Sequence, residues 1–150
     1  MAISALSTRL LTEQNECTLS WSTRDGSPAA TIVSFVWAKE ALWMTALVGC
    51  SRVNAIRRNN KVAIVISGKG TKVGISRCLS LRGHCEIFQS QQQRDWFFPL
   101  FAEKVLPLNS KSATRMAEMM NSPENLVLKM TPEQWHPYDS HAAMLAAGGA

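Results

Sequence analysis

No stretch of this 150-residue chain approaches the roughly 20 consecutive apolar residues that a membrane helix requires. The opening MAISALSTRLLTEQNE lacks a basic start followed by an uninterrupted apolar core, so a secretory signal is not expected. Cysteine is sparse and scattered: Cys17, Cys50, Cys78 and Cys85 include no C-x-x-C pair and no dense framework. Cys78, His84 and Cys85 lie close together, but their spacing matches no common zinc pattern and no fourth ligand is evident. No metal site is expected, and the thiols read as small buried side chains. A cytoplasmic protein without a membrane segment is the consistent reading. Repeats, linkers and low-complexity stretches are absent too. The chain has the length of one domain, residues 1–150, with flexibility expected in the tail, residues 140–150, and fraying from 146 onward. No Ser-His-Asp set, paired carboxylates or nucleophilic cysteine is legible, so no catalytic residue is assigned.

Acidic side chains are scarce in one place only. Residues 51–100 carry 9 basic and 2 acidic side chains, whereas each flanking stretch of 50 is close to neutral; this accounts for the net charge of +5. An anion is therefore expected to meet the middle third, as a phosphate-bearing small molecule or a nucleic acid. A nucleic-acid-binding barrel would need aromatics interleaved with Arg57, Arg58, Lys61, Lys69 and Lys72 as a stacking platform, and they are not there. Nucleic acid is the weaker alternative.

The hydrophobic pattern alternates more often than it follows helical spacing. Leu6, Leu10 and Leu11 predict a short opening helix. Cys17 to Thr23 reads as a strand, Asp25-Gly26 as a tight turn, and Thr31 to Ala38 and Leu42 to Leu47 as two further strands. Ser51 to Asn60 predicts a helix with Ser51 as N-cap and a left-handed stop at Asn59-Asn60. Val62 to Ile66, apolar throughout, predicts a strand buried on both faces. Residues 72–76 and 77–88 read as two strands, with Leu79 and Leu81 facing inward and a bulge at Gly83. Ser90 to Gln93 resembles a capping box; it opens a helix with Trp96, Phe97 and Leu100 inward, which Pro99 should kink or end. Ser110 to Met120 predicts a helix with Met116, Met119 and Met120 inward, and Asn125 to Met130 a last strand. The expected fold is mainly β, an antiparallel β-barrel with peripheral helices.

The candidate site lies where a strand ends near Thr45, a loop with Gly49 follows, and a helix starts at Ser51. Free N–H groups at a helix N-terminus attract anions. Arg52 in the first turn opposes the helix dipole, and a bound phosphate would resolve that conflict by accepting hydrogen bonds from Ser51, the backbone and the guanidinium. The local motif alone leaves a solvated arginine beside an ordinary cap as an equal alternative. Arg57 and Arg58 suit the helix C-terminus for about 0.3–1 kcal/mol each, which accounts for them without a ligand. Trp37, Trp43, Trp96 and Trp135 could stack on a ring, with core packing the default for each.

The run from Cys17 to Phe88 resembles the pyridoxamine 5′-phosphate oxidase-like family of FMN-binding split barrels. The matching residues are Thr18-Leu-Ser-Trp21, Asp25-Gly26-Ser-Pro28, Leu42-Trp-Met-Thr45, Ser51-Arg52, Arg58-Asn59-Asn60-Lys61-Val62-Ala63 and Leu79-Ser-Leu-Arg-Gly83, with Met130-Thr-Pro-Glu133 and Tyr138-Asp139 at the end. The resemblance implies an FMN-dependent oxidoreductase that works as a homodimer, with the flavin between subunits. It implies Ser51 and Arg52 on the phosphate, Thr45 at the end of the preceding strand, and Thr31 and Ser34 lining the flavin; Arg58 is a further candidate only because one of Arg57 and Arg58 could approach the phosphate from the side. Two departures stand out. Val53 replaces a lysine that many members carry, and five residues separate Thr45 from Ser51 where many have about three. These leave deazaflavin or haem as alternatives, haem with His84, His136 or His141 as axial ligand. Thr131 to Ala150 contains no arginine, unlike the substrate-binding segment of true pyridoxine-phosphate oxidases, so the substrate is expected to be a different small molecule.

Overall fold

The computed structural model describes residues 2–148. Helix α1 (Ala5–Glu13) is capped by Ser4, whose hydroxyl accepts from the Ser7 N–H, and it buries Leu10 and Leu11. Strands β1 (Glu16–Ser22), β2 (Pro28–Ser34), β3 (Val36–Ala38) and β4 (Ala41–Leu47) follow, then helix α2 (Ser51–Arg58) and strands β5 (Lys61–Ser67) and β6 (Arg77–Phe88). Helices α3 (Gln91–Val105) and α4 (Ser110–Met120), the long strand β7 (Asn125–Asp139) and helix α5 (Ser140–Ala146) complete the described chain. The seven strands form one antiparallel sheet in the order β2-β1-β5-β6-β7-β4-β3. The sheet curls until β2 comes alongside β4, giving a split barrel.

Alternation drives the closure. Cys17 and Leu19 of β1, Val62, Ile64 and Ile66 of β5, Leu79 and Leu81 of β6, and Leu128 and Met130 of β7 all point into one core. Val53 and Ile56 of α2 plug that core. Each fully buried Leu, Ile or Val contributes about 1.5–3 kcal/mol of transfer free energy. A second core lies on the other side of the sheet, where Val36, Trp43 and Val127 pack against Phe97, Phe98 and Phe101 of α3. Arg94, 5% exposed at the start of α3, donates to the Gln89 carbonyl, to Gln91 Oε1 and, at 3.2 Å, to Asn121 Oδ1 at the end of α4. It ties the two helices together at one end.

Several expectations are corrected. The run Thr31 to Ala38 is two strands broken at Phe35, whose N–H donates to the Asn15 carbonyl. The strand buried on both faces is β4, not β5: α3 covers the outer side of β4, whereas Val65 of β5 is 41% exposed. Residues 72–76 turn rather than extend. Gly74 and Ser76 take positive φ (87° and 67°) and the Gly74 N–H bonds back to Thr71, so only Val73 reaches the core. Helix α3 continues through Pro99 to Val105, because Phe101 and Ala102 beyond it are buried; Leu100 faces out. Met119 is also exposed, while Met116 and Met120 pack on the second core. Strand β7 runs nine residues past Met130. It tolerates Pro132 because that residue sits at the bulge opposite Gly83, where the ladder is already interrupted. Residues 140–146 of the tail form α5, capped by Asp139, whose Oδ1 accepts from the Ala142 N–H. The last two residues of the tail, 149 and 150, lie outside the described residues.

Candidate functional site

The β4–α2 junction is built by short-range hydrogen bonds. The Val48 N–H donates to the Glu124 carbonyl, and the Cys50 N–H donates to the Leu47 carbonyl, which turns the chain into α2. The N-cap is Cys50, not Ser51, and no side chain caps the helix. Ser51 is the first helical residue and is exposed. The shift by one residue matters. A serine at the cap would spend its oxygen on the helix's own amides, whereas Ser51 inside the first turn keeps its hydroxyl for a ligand. The helix stops at Asn59 in an extended conformation (φ −140°), where its Oδ1 accepts from the Lys61 N–H; no left-handed residue is used.

Arg52 is the chemically unusual member. Its Nε is buried and has no hydrogen-bond partner among the described residues. An unpaired buried donor costs about 1–3 kcal/mol, so the folded chain retains an unmet demand for an acceptor at this point. The first turn of α2 contains no acidic residue, and among the described residues Arg52, Arg57 and Arg58 form no ion pair. Uncapped amides, a free hydroxyl and a guanidinium lacking an acceptor are the donors that could cradle a phosphate. An anion of that kind fits the residues present.

The other sequence candidates are placed as follows. Thr45 lies in β4, and its Oγ1 donates to the Leu126 carbonyl at 2.9 Å, so its proton is committed and only its lone pairs are free. Thr31 and Ser34 sit half-buried on β2, opposite Leu19 and Glu16, and neither hydroxyl makes a hydrogen bond among the described residues. Because β2 comes alongside β4, Thr31, Ser34 and Thr45 belong to neighbouring segments of the barrel seam. Arg58 is exposed at the far end of α2, six residues and about 9 Å of helix rise from Arg52. Val53 is fully buried in the main core, which explains why no lysine can serve the cradle from that position. His136 and His141 are exposed.

The thiols divide by burial. Desolvation pushes Cys17 and Cys85 up to about 12, so both stay protonated at neutral pH, while Cys50 and Cys78 are half-buried. A disulfide-exchange reagent at pH 8 should therefore modify Cys50 and Cys78 rapidly, and Cys17 and Cys85 only on unfolding. Equal labelling of all four thiols in the folded protein, read by peptide mass spectrometry, would contradict that burial.

One feature was hard to read from sequence. Glu133 faces His84 across the β6–β7 bulge, and its carboxylate pairs with the imidazole Nδ1. Gly83 was the only signal, and it pointed to a bulge without saying which side chain the bulge would turn.

No curated protein sequence matches the chain. Residues 6–139 match the family model described as Pyridoxamine 5′-phosphate oxidase. Among solved structures, a conserved hypothetical protein from Mycobacterium tuberculosis superposes with a TM-score of 0.77 at 15% identity, over 93% of this chain and 86% of its own. A protein named F420 Reductase gives a TM-score of 0.69 at 18% identity, over 90% and 98%. A FAD-binding protein from Mesorhizobium loti gives 0.64 at 17% identity, over 90% and 94%. Identities this low establish a shared fold and nothing finer. The family match, which spans almost the whole chain, together with the curled seven-stranded antiparallel sheet, shows that this protein belongs to the pyridoxamine 5′-phosphate oxidase family and adopts its split-barrel fold.

Proposed function

We propose that this protein is an FMN-binding flavoprotein that acts as an oxidoreductase on a small molecule, with Ser51 and Arg52 holding the flavin phosphate. The observation that carries the reading is the buried Arg52 Nε without an acceptor, beside a helix start that no side chain caps. Thr45 lies two residues before the end of the strand that leads to the cradle; Thr31 and Ser34, three apart on β2, face opposite sides of the sheet, so one of the two hydroxyls at most hydrogen-bonds the ring system. Arg58 contributes long-range attraction to the anion rather than a direct bond. When bound, a flavin supplies hydride or electron transfer; the chain supplies binding and orientation. Absence of arginine from Thr131 to Ala150 argues for a substrate other than a pyridoxine phosphate.

Mass spectrometry of the small molecule released on denaturing the purified protein tests the proposal. FMN in near-stoichiometric amount supports it, and colourless protein that fails to bind added FMN at micromolar concentration overturns it. A deazaflavin is the second reading, favoured by the likeness to a protein named F420 Reductase and by Val53 where many members carry a lysine. Its different mass and its fluorescence on titration separate it in the same experiment.

The resemblance to FMN-binding split barrels implies a homodimer, and the outer sheet face offers an interface. Ile32, Thr18 and Val65 form one cross-strand row, with Ile32 66% exposed. Burying such a row stabilises association. Changing Ile32→Glu together with Val65→Lys should convert the protein to a folded monomer in sedimentation velocity. A wild-type monomer, or a dimer indifferent to both changes, would contradict the interface. With four free thiols and no helix long and apolar enough to cross a membrane, the cytoplasm is the proposed compartment.

A further inference from the structure

A cleft of about 370 Å³ opens where the C-terminal ends of α1 and α3 meet β3. Leu11 and Val36 form its floor, half-buried Trp37 one wall, and Thr12 and Asn15 its polar rim, while Lys104 in the last turn of α3 reaches in from the other side. It shares no residue with the Arg52 cradle or with the Ile32–Thr18–Val65 row. Lys104 is the only charged side chain on the lining, and it forms no ion pair among the described residues. Its Nζ lies 4.1 Å from the centre of the buried Phe35 ring. The other lysines are placed differently. Lys39, Lys61, Lys69, Lys72 and Lys111 are exposed, and half-buried Lys129 lies 3.6 Å from a Glu86 carboxylate oxygen.

Burial brings the Lys104 amine down to about 8. The groups that face it do not restore the charge. Cys17 of β1 stays protonated at neutral pH, and Glu16 beside it is exposed and makes no ion pair with Lys104. Neither α1 nor β3 puts a titratable side chain on the lining, and Glu103 of α3 is exposed. The Phe35 ring and the helix end favour the cation, but burial outweighs them. A lysine that is neutral in part at pH 7 and open to a cleft is a nucleophile for a carbonyl carbon. No second charge lines this cleft, so the carbonyl compound it suits is itself uncharged. We propose that Lys104 is a covalent capture site for small uncharged aldehydes, held as an imine in the cleft between α1, β3 and α3. The neutral Nζ adds to the carbonyl carbon, and the carbinolamine then loses its hydroxyl as water. Both protons of that water come from the amine, so C=N replaces C=O without an oxidant or a reductant. The assignment is independent of the flavin reading.

Trapping with propanal and sodium cyanoborohydride at neutral pH, read on the full-length protein by peptide mass spectrometry, tests it. At pH 7 an amine titrating near 8 holds about 200-fold more of the neutral form than an ordinary lysine. Its lower basicity offsets part of that advantage, so Lys104 should be propylated about tenfold or more faster than any other lysine. Glyoxylate, an aldehyde with a carboxylate, should show no such preference for Lys104. Trace acetylation with acetic anhydride over a pH series supplies the second readout. The Lys104 rate should level off above about pH 8, while the exposed lysines keep rising toward about pH 10. Lys104→Arg should lose the dominant propanal adduct and leave the other lysines reacting as before, with circular dichroism confirming the fold. If that variant does not fold, the wild-type pH profile still decides. Propylation of Lys104 no faster than that of Lys111, an acetylation rate that climbs with the exposed lysines, or equal trapping of glyoxylate at Lys104 would overturn the proposal.

Discussion

Replacement of Arg52 by alanine should lower flavin affinity about 10- to 100-fold while leaving the apoprotein as stable as wild type or slightly more so. The first effect follows from losing the guanidinium's bonds to a phosphate, each charge-assisted bond contributing about 1.5–3 kcal/mol. The second follows from the buried Nε that has no acceptor in the ligand-free chain. Deleting it removes a desolvation penalty instead of a contact. The pairing of outcomes is diagnostic, because a structural arginine would show the reverse pattern. Arg58→Ala, at the exposed far end of α2, should weaken flavin binding less than Arg52→Ala. Flavin absorbance after gel filtration and thermal melts of the stripped protein provide the two readouts. Unchanged occupancy in Arg52→Ala would remove the phosphate assignment.

Gly83→Ala should be the most damaging single methyl in the barrel. The new Cβ would meet the Thr131 carbonyl oxygen at 2.0 Å, the Thr131 carbonyl carbon at 3.0 Å and the Pro132 Cα at 3.1 Å. All three are backbone atoms of β7 inside a central ladder, so relief requires parting β6 from β7. Overpacking of a rigid interior costs about 1–3 kcal/mol and more where backbone must move, so about 3 kcal/mol is expected. For a domain of this size that lowers Tm by about 6–12 °C. Gly68→Ala makes an instructive comparison. Its Cβ would lie 2.2 Å from the Gly74 carbonyl oxygen, but that oxygen belongs to the turn between β5 and β6, which can move aside. A smaller loss is expected there. A Gly83→Ala variant melting within about 2 °C of wild type would show that the bulge is softer than its geometry indicates.

The parts of the fold legible in sequence are those set by local chemistry. Asp25-Gly26 makes its turn, with Gly26 at φ 85° and Asp25 Oδ1 accepting from the Thr23 hydroxyl and the Ser27 N–H. Ser90 caps α3 through the Gln93 N–H, although Gln93 uses its own side chain to accept from Trp96 rather than closing the capping box. The inward set Leu79 and Leu81 and the bulge at Gly83 follow from strand periodicity and from glycine's missing Cβ. The misreading of β5 has a tertiary cause. An apolar run such as Val62–Ile66 states that a strand is buried on one face at least, and the second face depends on whether another element arrives to cover it. α3 covers β4 and leaves β5 open.

The candidate site divides the same way. The helix start was readable because Ser51 and Arg52 are adjacent in the chain, and a helix start needs no distant partner to present its amides. That Arg52 buries a donor without an acceptor could not be read, since it depends on what surrounds it in three dimensions. The His84–Glu133 pair was likewise invisible, because the bulge between β6 and β7 brings together residues 49 positions apart. Sequence alone determined an antiparallel β-rich domain with a short basic helix between its strands, through alternation, turn residues and uneven charge. Tertiary structure decided which faces are covered, which donors go unmet and which side chains share a cleft, because burial and strand register are properties of segments meeting in space and no local stretch encodes them.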